Sequence, residues 1–260
     1  VSFVTDNLQF KATPTYKREL EAARRILALP WVEADCHTVN HPFNWRLGDL
    51  KRKPGDEEGG LVRLPPDNRL EICDAIDFTN QLVCPPGKKT RTLFWSGMCN
   101  PSEEALMYTD GMGVSNLNGG DPVYDSLHPF LVGVSPLYTQ VGGRYQFHTC
   151  AAGDFYYTGA WTKDYDGMKR LVEYFNYTEE PRRLRAMNLY YHFYLAEREL
   201  GIAGLKIAID WVVSHKPAYL FASNYVDIVK DMIVTRLGRD AQGNLVVSNA
   251  GAMRTIRFDG

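Results

Sequence analysis

Two histidines four residues apart, His37 and His41 in "DCHTVNHPFNW" (35–45), are the first residues whose type and spacing suggest chemistry. With six histidines in 260 residues, a pair at that spacing arises by chance roughly 0.1 times per sequence, so spacing alone decides nothing. Thr38 stands where a zinc-protease helix carries its glutamate, and Pro42 suits a helix interior poorly, so the HExxH reading fails. The pair belongs instead to a loop or single turn after the strand predicted in "WVEADC". Two imidazoles there can offer nitrogen ligands to one divalent metal, and catalysis would need a third protein ligand and an open position for water. The alternative is two histidines that only hydrogen-bond.

Three further places keep their candidacy: the "FWSGMCNPS" loop after a strand, "NGGD" ending at Asp121, and His192 in "NLYYHFY". Others fail on inspection. "PPGKKT" has Leu82 where a phosphate-binding loop needs its first glycine. "DGMGVSNLNGGD" has Asn116 in place of the third glycine of a dinucleotide fingerprint, and it leaves a helix where the fingerprint enters one. No G-x-S-x-G is present. His192, in so aromatic a segment, also reads as a satisfied core residue. Asp121 also reads as a turn residue after two glycines.

The elements that must position these residues alternate. "VSFV" reads as a strand and "YKRELEAARRILALP" as a helix with Leu20, Ala23, Ile26 and Leu27 on one face, ended by Pro30. After a polar stretch (51–60), "LEICDAIDFTNQLV" reads as helix, "RTLFW" as strand, and "SEEALMYTDGMG" as a helix starting at Ser102. "VSNL", "RYQFHT" and "NLYYHFY" are expected strands, with helices in "YDGMKRLVEYFN", from about 196 to 215, and after Ser223. This rhythm argues for a mostly parallel sheet or barrel with helices outside and functional residues at the carboxyl ends of strands. "LVVSN" and "MRTIRFD" around "AGA" are expected to form a C-terminal hairpin.

Composition bounds the partners. The formal charge is −2, from 29 basic and 31 acidic residues spread along the chain, which gives no reason to expect nucleic acid. No apolar run has the length of a membrane span and no signal-peptide pattern is visible. The start at "VSFVTD", without an initiator Met, suggests a piece of a longer chain. Five cysteines form no CxxC pair; Cys73 and Cys84 could bridge, and small buried thiols are the favoured reading. Fifteen Tyr, twelve Phe and five Trp, many beside Asn, Asp and Gly, suit the walls of a sugar-stacking cleft or ordinary packing.

Taken together, "HTVNHPF", "WSGMCNPSEEAL", "NLNGGDP", "WTKDYDGMKRLVEYF", "NLYYHFY" and "GAMRTIRFD" resemble the polysaccharide deacetylase superfamily of NodB-like carbohydrate esterases, most closely the Pel-type exopolysaccharide deacetylase domains. The resemblance covers nearly the whole chain. It implies an α/β fold of the distorted (β/α) barrel type over 1–234, with 235–260 opening a β-rich segment, and removal of N-acetyl groups from an N-acetylgalactosamine-rich polymer. It further implies that His37 and His41 bind a divalent metal, zinc by preference, and that His192 is the general acid, with Asp121 beside it. Trp95, Ser96, Gly97, Met98 and Cys99 would then line the substrate, a backbone N–H of that loop would stabilise the oxyanion, and Tyr157, Trp161, Tyr190 and Tyr191 would stack against sugars.

The family's Asp motif, source of the third ligand and the general base, belongs on a strand before the one "VSFV" resembles, hence upstream of Val1. Asp6 is the alternative within the chain. A periplasmic or extracellular location, and membership of a larger multidomain chain in an exopolysaccharide assembly system, follow from the same likeness. The rivals are a carbohydrate-binding pseudoenzyme that kept the cleft without a complete metal site, and a metal-dependent hydrolase of a small amide.

Overall fold

Short apolar runs separated by amphipathic segments fold into parallel strands joined by helices, in a computed structural model that describes residues 1–5, 15–52, 61–119, 123–129, 137–149, 153–179, 183, 186–253, 255–256 and 258. Asp6, Asp121 and Cys150 lie outside the described residues. The chain divides into two compact units. One comprises Val1–Leu117, Val141–Arg144 and Leu220–Gly260; the other comprises Asn118–Gln140 and Tyr145–Tyr219. The C-terminal hairpin belongs to the first unit.

In chain order the first unit begins with strands β1 (Ser2–Phe3), β2 (Asp35–Cys36), β3 (Asp49–Arg52), β4 (Leu61–Leu64), β5 (Thr92–Phe94) and β6 (Ser115–Leu117). Strands β1, β2, β5 and β6 make one parallel sheet in that order, and β3 pairs with β4 as an antiparallel excursion. Phe3, Cys36, Leu93 and Asn116 share one row of the register. The α/β class with a parallel sheet is therefore as expected, while the described strands form an open four-stranded sheet and no closed barrel.

Helix α1 (Tyr16–Leu27) buries Leu20, Ala23 and Leu27 of the expected stripe against Ala34 and Val83, while Ile26, the fourth residue expected on that face, is half-buried. Its last carbonyl, Leu27 O, together with Leu29 O and Val32 O, accepts from Lys88 Nζ at 2.6–2.9 Å, a cation placed where the helix end needs donors. Helix α2 (Ala75–Phe78) is flanked by π-helical turns Arg69–Asp74 and Thr79–Val83. Helix α3 (Glu103–Gly111) starts as predicted: Ser102 Oγ accepts from Ala105 N at 3.1 Å. Their apolar faces join Cys36, Leu93, Trp45 and Trp95 in one core. Cys36, Cys73, Cys84 and Cys99 are free thiols.

In the second unit, helices α4 (Asp154–Tyr157), α5 (Leu171–Tyr177) and α6 (Glu199–Ser214) pack around Met168, Leu171, Phe175, Leu195 and Ala208. Helix α6 comes close because Gly204 has no side chain: a Cβ there would lie 2.3 Å from Asp166 O. "RYQFHT" does form a strand, β8 (Arg144–Phe147), but it pairs with β7 (Tyr138–Val141) in a two-stranded ribbon and not in the parallel sheet. "NLYYHFY" is not a strand. It makes a single bridge, Tyr190 with Gly153, and then a 3-10 turn over Phe193–Glu197, because the His192 N–H donates to a carboxylate and not to a neighbouring strand.

Helix α7 (Ala222–Val234) returns to the first unit, where Glu33 accepts from Ser223 N at 3.0 Å near the helix start. The C-terminal hairpin exists with other partners than expected. Strand β9 (Arg236–Arg239) pairs antiparallel with β10 (Leu245–Ser248). Its turn is set by Asp240, whose carboxylate accepts from Gln242 N, Asn244 N and Asn244 Nδ2, with Gly243 at φ +84°. These bonds hold the Asp240 carboxyl below its usual range. The partner strand expected in "MRTIRFD" lies partly outside the described residues.

Asp35, buried within the sheet, supplies a pH test. Burial, helped by the Glu33 carboxylate, raises its pKa to about 7 from 3.8. A folded acid with a raised pKa binds more protons than the unfolded one, so its contribution is fully present below about pH 4 and is lost as pH rises through about 7. Urea unfolding at stepped pH is expected to show stability falling by a few kcal/mol across that window, and Asp35→Asn is expected to flatten the fall.

Candidate functional site

The histidine pair belongs to the first unit, in the loop that β2 feeds. His37 continues the strand: its N–H donates to Phe3 O at 3.1 Å, and its ring Nδ1 lies 2.9 Å from Phe94 O. A carbonyl only accepts, so Nδ1 carries the proton, and in the neutral ring Nε2 holds the lone pair. Metal-ligating imidazoles ordinarily have their other ring nitrogen held by such a hydrogen bond.

His41 is exposed on a turn in which Thr38 and His41 take φ of +67° and +55°. The turn is closed by the His41 N–H, which donates to Thr38 Oγ1 at 3.1 Å. The two rings meet edge to face at 4.9 Å. The loop reading is thus correct and a helical pair is excluded. Thr5, the covalent neighbour of Asp6, donates from N and Oγ1 to Thr38 O at 3.0 and 3.3 Å. Among the described residues no group of three His, Cys, Asp or Glu side chains is placed to hold a metal.

The "WSGMCN" loop interlocks with the residues after His41. Ser96 Oγ donates to Pro42 O at 2.7 Å, Met98 N to Phe43 O at 2.8 Å, and Trp45 N to Asn100 Oδ1 at 3.0 Å. Trp45 and Trp95 stack edge to face at 4.9 Å. Gly97 has φ +60°, and a Cβ there would come within 2.3 Å of Phe43 Cα.

This corrects the substrate-lining expectation for several residues. Trp95 and Ser96 are buried, and their polar atoms are committed to Asn116 and Pro42. Met98 N–H and Cys99 N–H are spent on Phe43 O and Ser96 O, so neither is an oxyanion donor. Burial pushes the Cys99 thiol up to about 12, and its Sγ donates to Trp95 O. The Met98 side chain, Gly97 and the neighbouring Phe43 are the exposed parts of this pair of loops; Phe43 was not singled out in the sequence.

His192 belongs to the second unit. Its Nδ1 lies 2.9 Å from Asp154 Oδ1 and its backbone N–H donates to Asp154 Oδ2 at 3.0 Å. The fully buried Asp154 also accepts from Trp161 Nε1 at 2.8 Å and Phe155 N at 3.0 Å. Four donors make the carboxylate affordable in a buried position. The carboxylate accepts the Nδ1–H hydrogen bond, so the neutral ring carries its proton on Nδ1 and its lone pair on Nε2. Around the ring stand Trp161 (5.1 Å, 88°), Tyr190 (5.4 Å, 85°) and Tyr194, which stacks at 5.1 Å and 16°. Gly153 permits this: a Cβ there would meet Tyr190 O at 2.5 Å.

The orienting carboxylate beside His192 is thus Asp154. "AAGDFYY" gave no sign of it, because Asp154 lies 38 residues away and reads as the start of a helical turn. Tyr157 is buried under the Arg170 guanidinium and is removed from the sugar-stacking set, whereas Trp161 is half-buried and Tyr191 exposed.

No family model, curated protein or solved structure matches this chain.

Asp154→Asn keeps the shape but turns one oxygen into a donor facing donors. It is expected to lower stability by about 2–4 kcal/mol and to abolish the single Nδ1–H tautomer of His192. Urea unfolding and imidazole ¹⁵N spectra check both; an unchanged tautomer would sink the orienting role.

Proposed function

We propose that this chain is a metal-dependent de-N-acetylase of an N-acetylhexosamine exopolysaccharide, built on an α/β scaffold of the polysaccharide deacetylase type and working outside the cytoplasm. The observation that carries the reading is the His37–His41 pair: two imidazoles 4.9 Å apart at the carboxyl end of a parallel strand, one of them held through Nδ1 by a backbone carbonyl. His37 and His41 fit a divalent cation as nitrogen ligands. When bound, such an ion acidifies water and polarises an amide carbonyl.

The remaining work falls to the chain's own groups. His192, kept by Asp154 in one orientation, donates the proton that the departing sugar amine needs. Trp161 and the exposed Tyr191 and Tyr194 offer ring faces for pyranose stacking. The third ligand comes from outside the described residues, and Asp6, which follows the anchored Thr5, is the residue within the chain to test. Among the described residues no helix is long and apolar enough to cross a membrane.

Zinc content and acetate release on an N-acetylgalactosamine oligomer test the reading, on this chain and on one extended upstream. His37→Ala is expected to lose both. His192→Ala is expected to keep zinc and to lose about 10²–10⁴-fold in acetate release. Asp6→Asn loses zinc if Asp6 is the third ligand and leaves it unchanged if that ligand lies upstream. Oligomer binding with neither zinc nor acetate release in either chain replaces the enzyme by a carbohydrate-binding module.

A further inference from the structure

Glu71 is a buried carboxylate for which the proposed chemistry has no use. It sits in the π-helical turn Arg69–Asp74 and is 4% exposed. Its Oε2 accepts the Val39 N–H at 3.0 Å and the Asn40 N–H at 2.8 Å, and its Oε1 accepts from Asn40 Nδ2 at 2.7 Å. All three donors lie in the stretch between Thr38 and His41.

That stretch needs them. Its backbone has left β2, and Thr38 and His41 both hold left-handed conformations, which L-residues adopt at about 1 kcal/mol or more each. A turn of that kind persists only where its surroundings over-determine it, and buried N–H groups need acceptors. His37 is placed independently, by the strand and by Phe94 O. His41 has the Thr38 hydroxyl and, through residues 39 and 40, the Glu71 carboxylate. A carboxylate suits the task better than an amide because both its oxygens accept and neither donates. π-helical turns of this kind recur at functional sites, where they aim a side chain that a regular helix would present elsewhere.

We infer that Glu71 is a positioning residue for His41: it locks the 38–41 turn so that the second imidazole stands where a divalent cation held by His37 would need it. This rests on the metal-dependent reading above. In the role assigned to it Glu71 acts through Val39 and Asn40.

Zinc affinity measured by chelator competition, with cobalt(II) absorption as the spectroscopic signature, tests it on the same chain that binds zinc. Glu71→Gln is expected to keep its circular dichroism and to bind zinc about 10–100-fold more weakly, as outer-shell changes do, with an altered cobalt spectrum. The exposed Glu104→Gln is the control and should bind as the parent does. A folded Glu71→Gln that binds zinc within twofold of the parent overturns the assignment. Should Glu71→Gln not fold, Asn40→Ala removes a single donor to the carboxylate and is expected to weaken zinc about threefold or more; unchanged affinity there overturns it equally. If the parent binds no zinc, the metal reading is what has failed. Positioning is then read in the metal-free protein: Glu71→Gln should shift and broaden the His41 ring signals while sparing His37, and unmoved His41 signals end the proposal.

Discussion

Everything in the first unit hangs on the register of its parallel sheet. Because Phe3, Cys36 and Leu93 are level, the strands release the chain at one edge, and the next residue of β2 is held on both sides. His37 gives its backbone N–H to β1 and its ring proton to β5. Parallel ladders leave evenly spaced backbone groups at their ends that must find partners. Here one imidazole is made part of that accounting, so a side chain with chemical potential is fixed by the same bonds that fix the fold.

Where the ladder stops, buried and half-buried carboxylates take over. Glu71 gathers the N–H groups of the histidine turn, and Asp49 accepts from Phe43 N and Asn44 N. In the second unit Asp154 does the same for His192, Trp161 and Phe155. Each is an acceptor with two oxygens set among irregular backbone that offers donors and no repeating partner. Replacing hydration by several short, charge-assisted bonds makes such burial tolerable, and it gives loops the definition that helices and strands have from their own ladders.

The sequence made legible what local pattern controls. The stripe of Leu20, Ala23 and Leu27, the Ser102 cap, and the non-helical histidine pair marked by Thr38 and Pro42 all came from neighbours within a turn or two. What it hid depends on partners far along the chain. Asp154 lies 38 residues from the histidine it orients, and no spacing rule joins them. "NLYYHFY" has a strand's composition, but its backbone donor is captured by that same carboxylate. "WSGMCN" looked like a substrate loop because it follows a strand, yet its polar groups were already spoken for by residues 42–45. The turn between β9 and β10 rests on three bonds to the Asp240 carboxylate, which the sequence reading passed over.

The interlock between residues 42–49 and 95–101 has an evolutionary consequence. Gly97 presses on the Phe43 backbone with no room for a Cβ, while Asn44 and Asn100 hydrogen-bond side chain to side chain and Trp45 abuts Trp95. Neither segment can drift alone without opening a void or a clash in the other. Across descendants of this sequence the two should therefore change in concert and be inherited as one block, and a recombination crossover placed between them would join halves that no longer mesh.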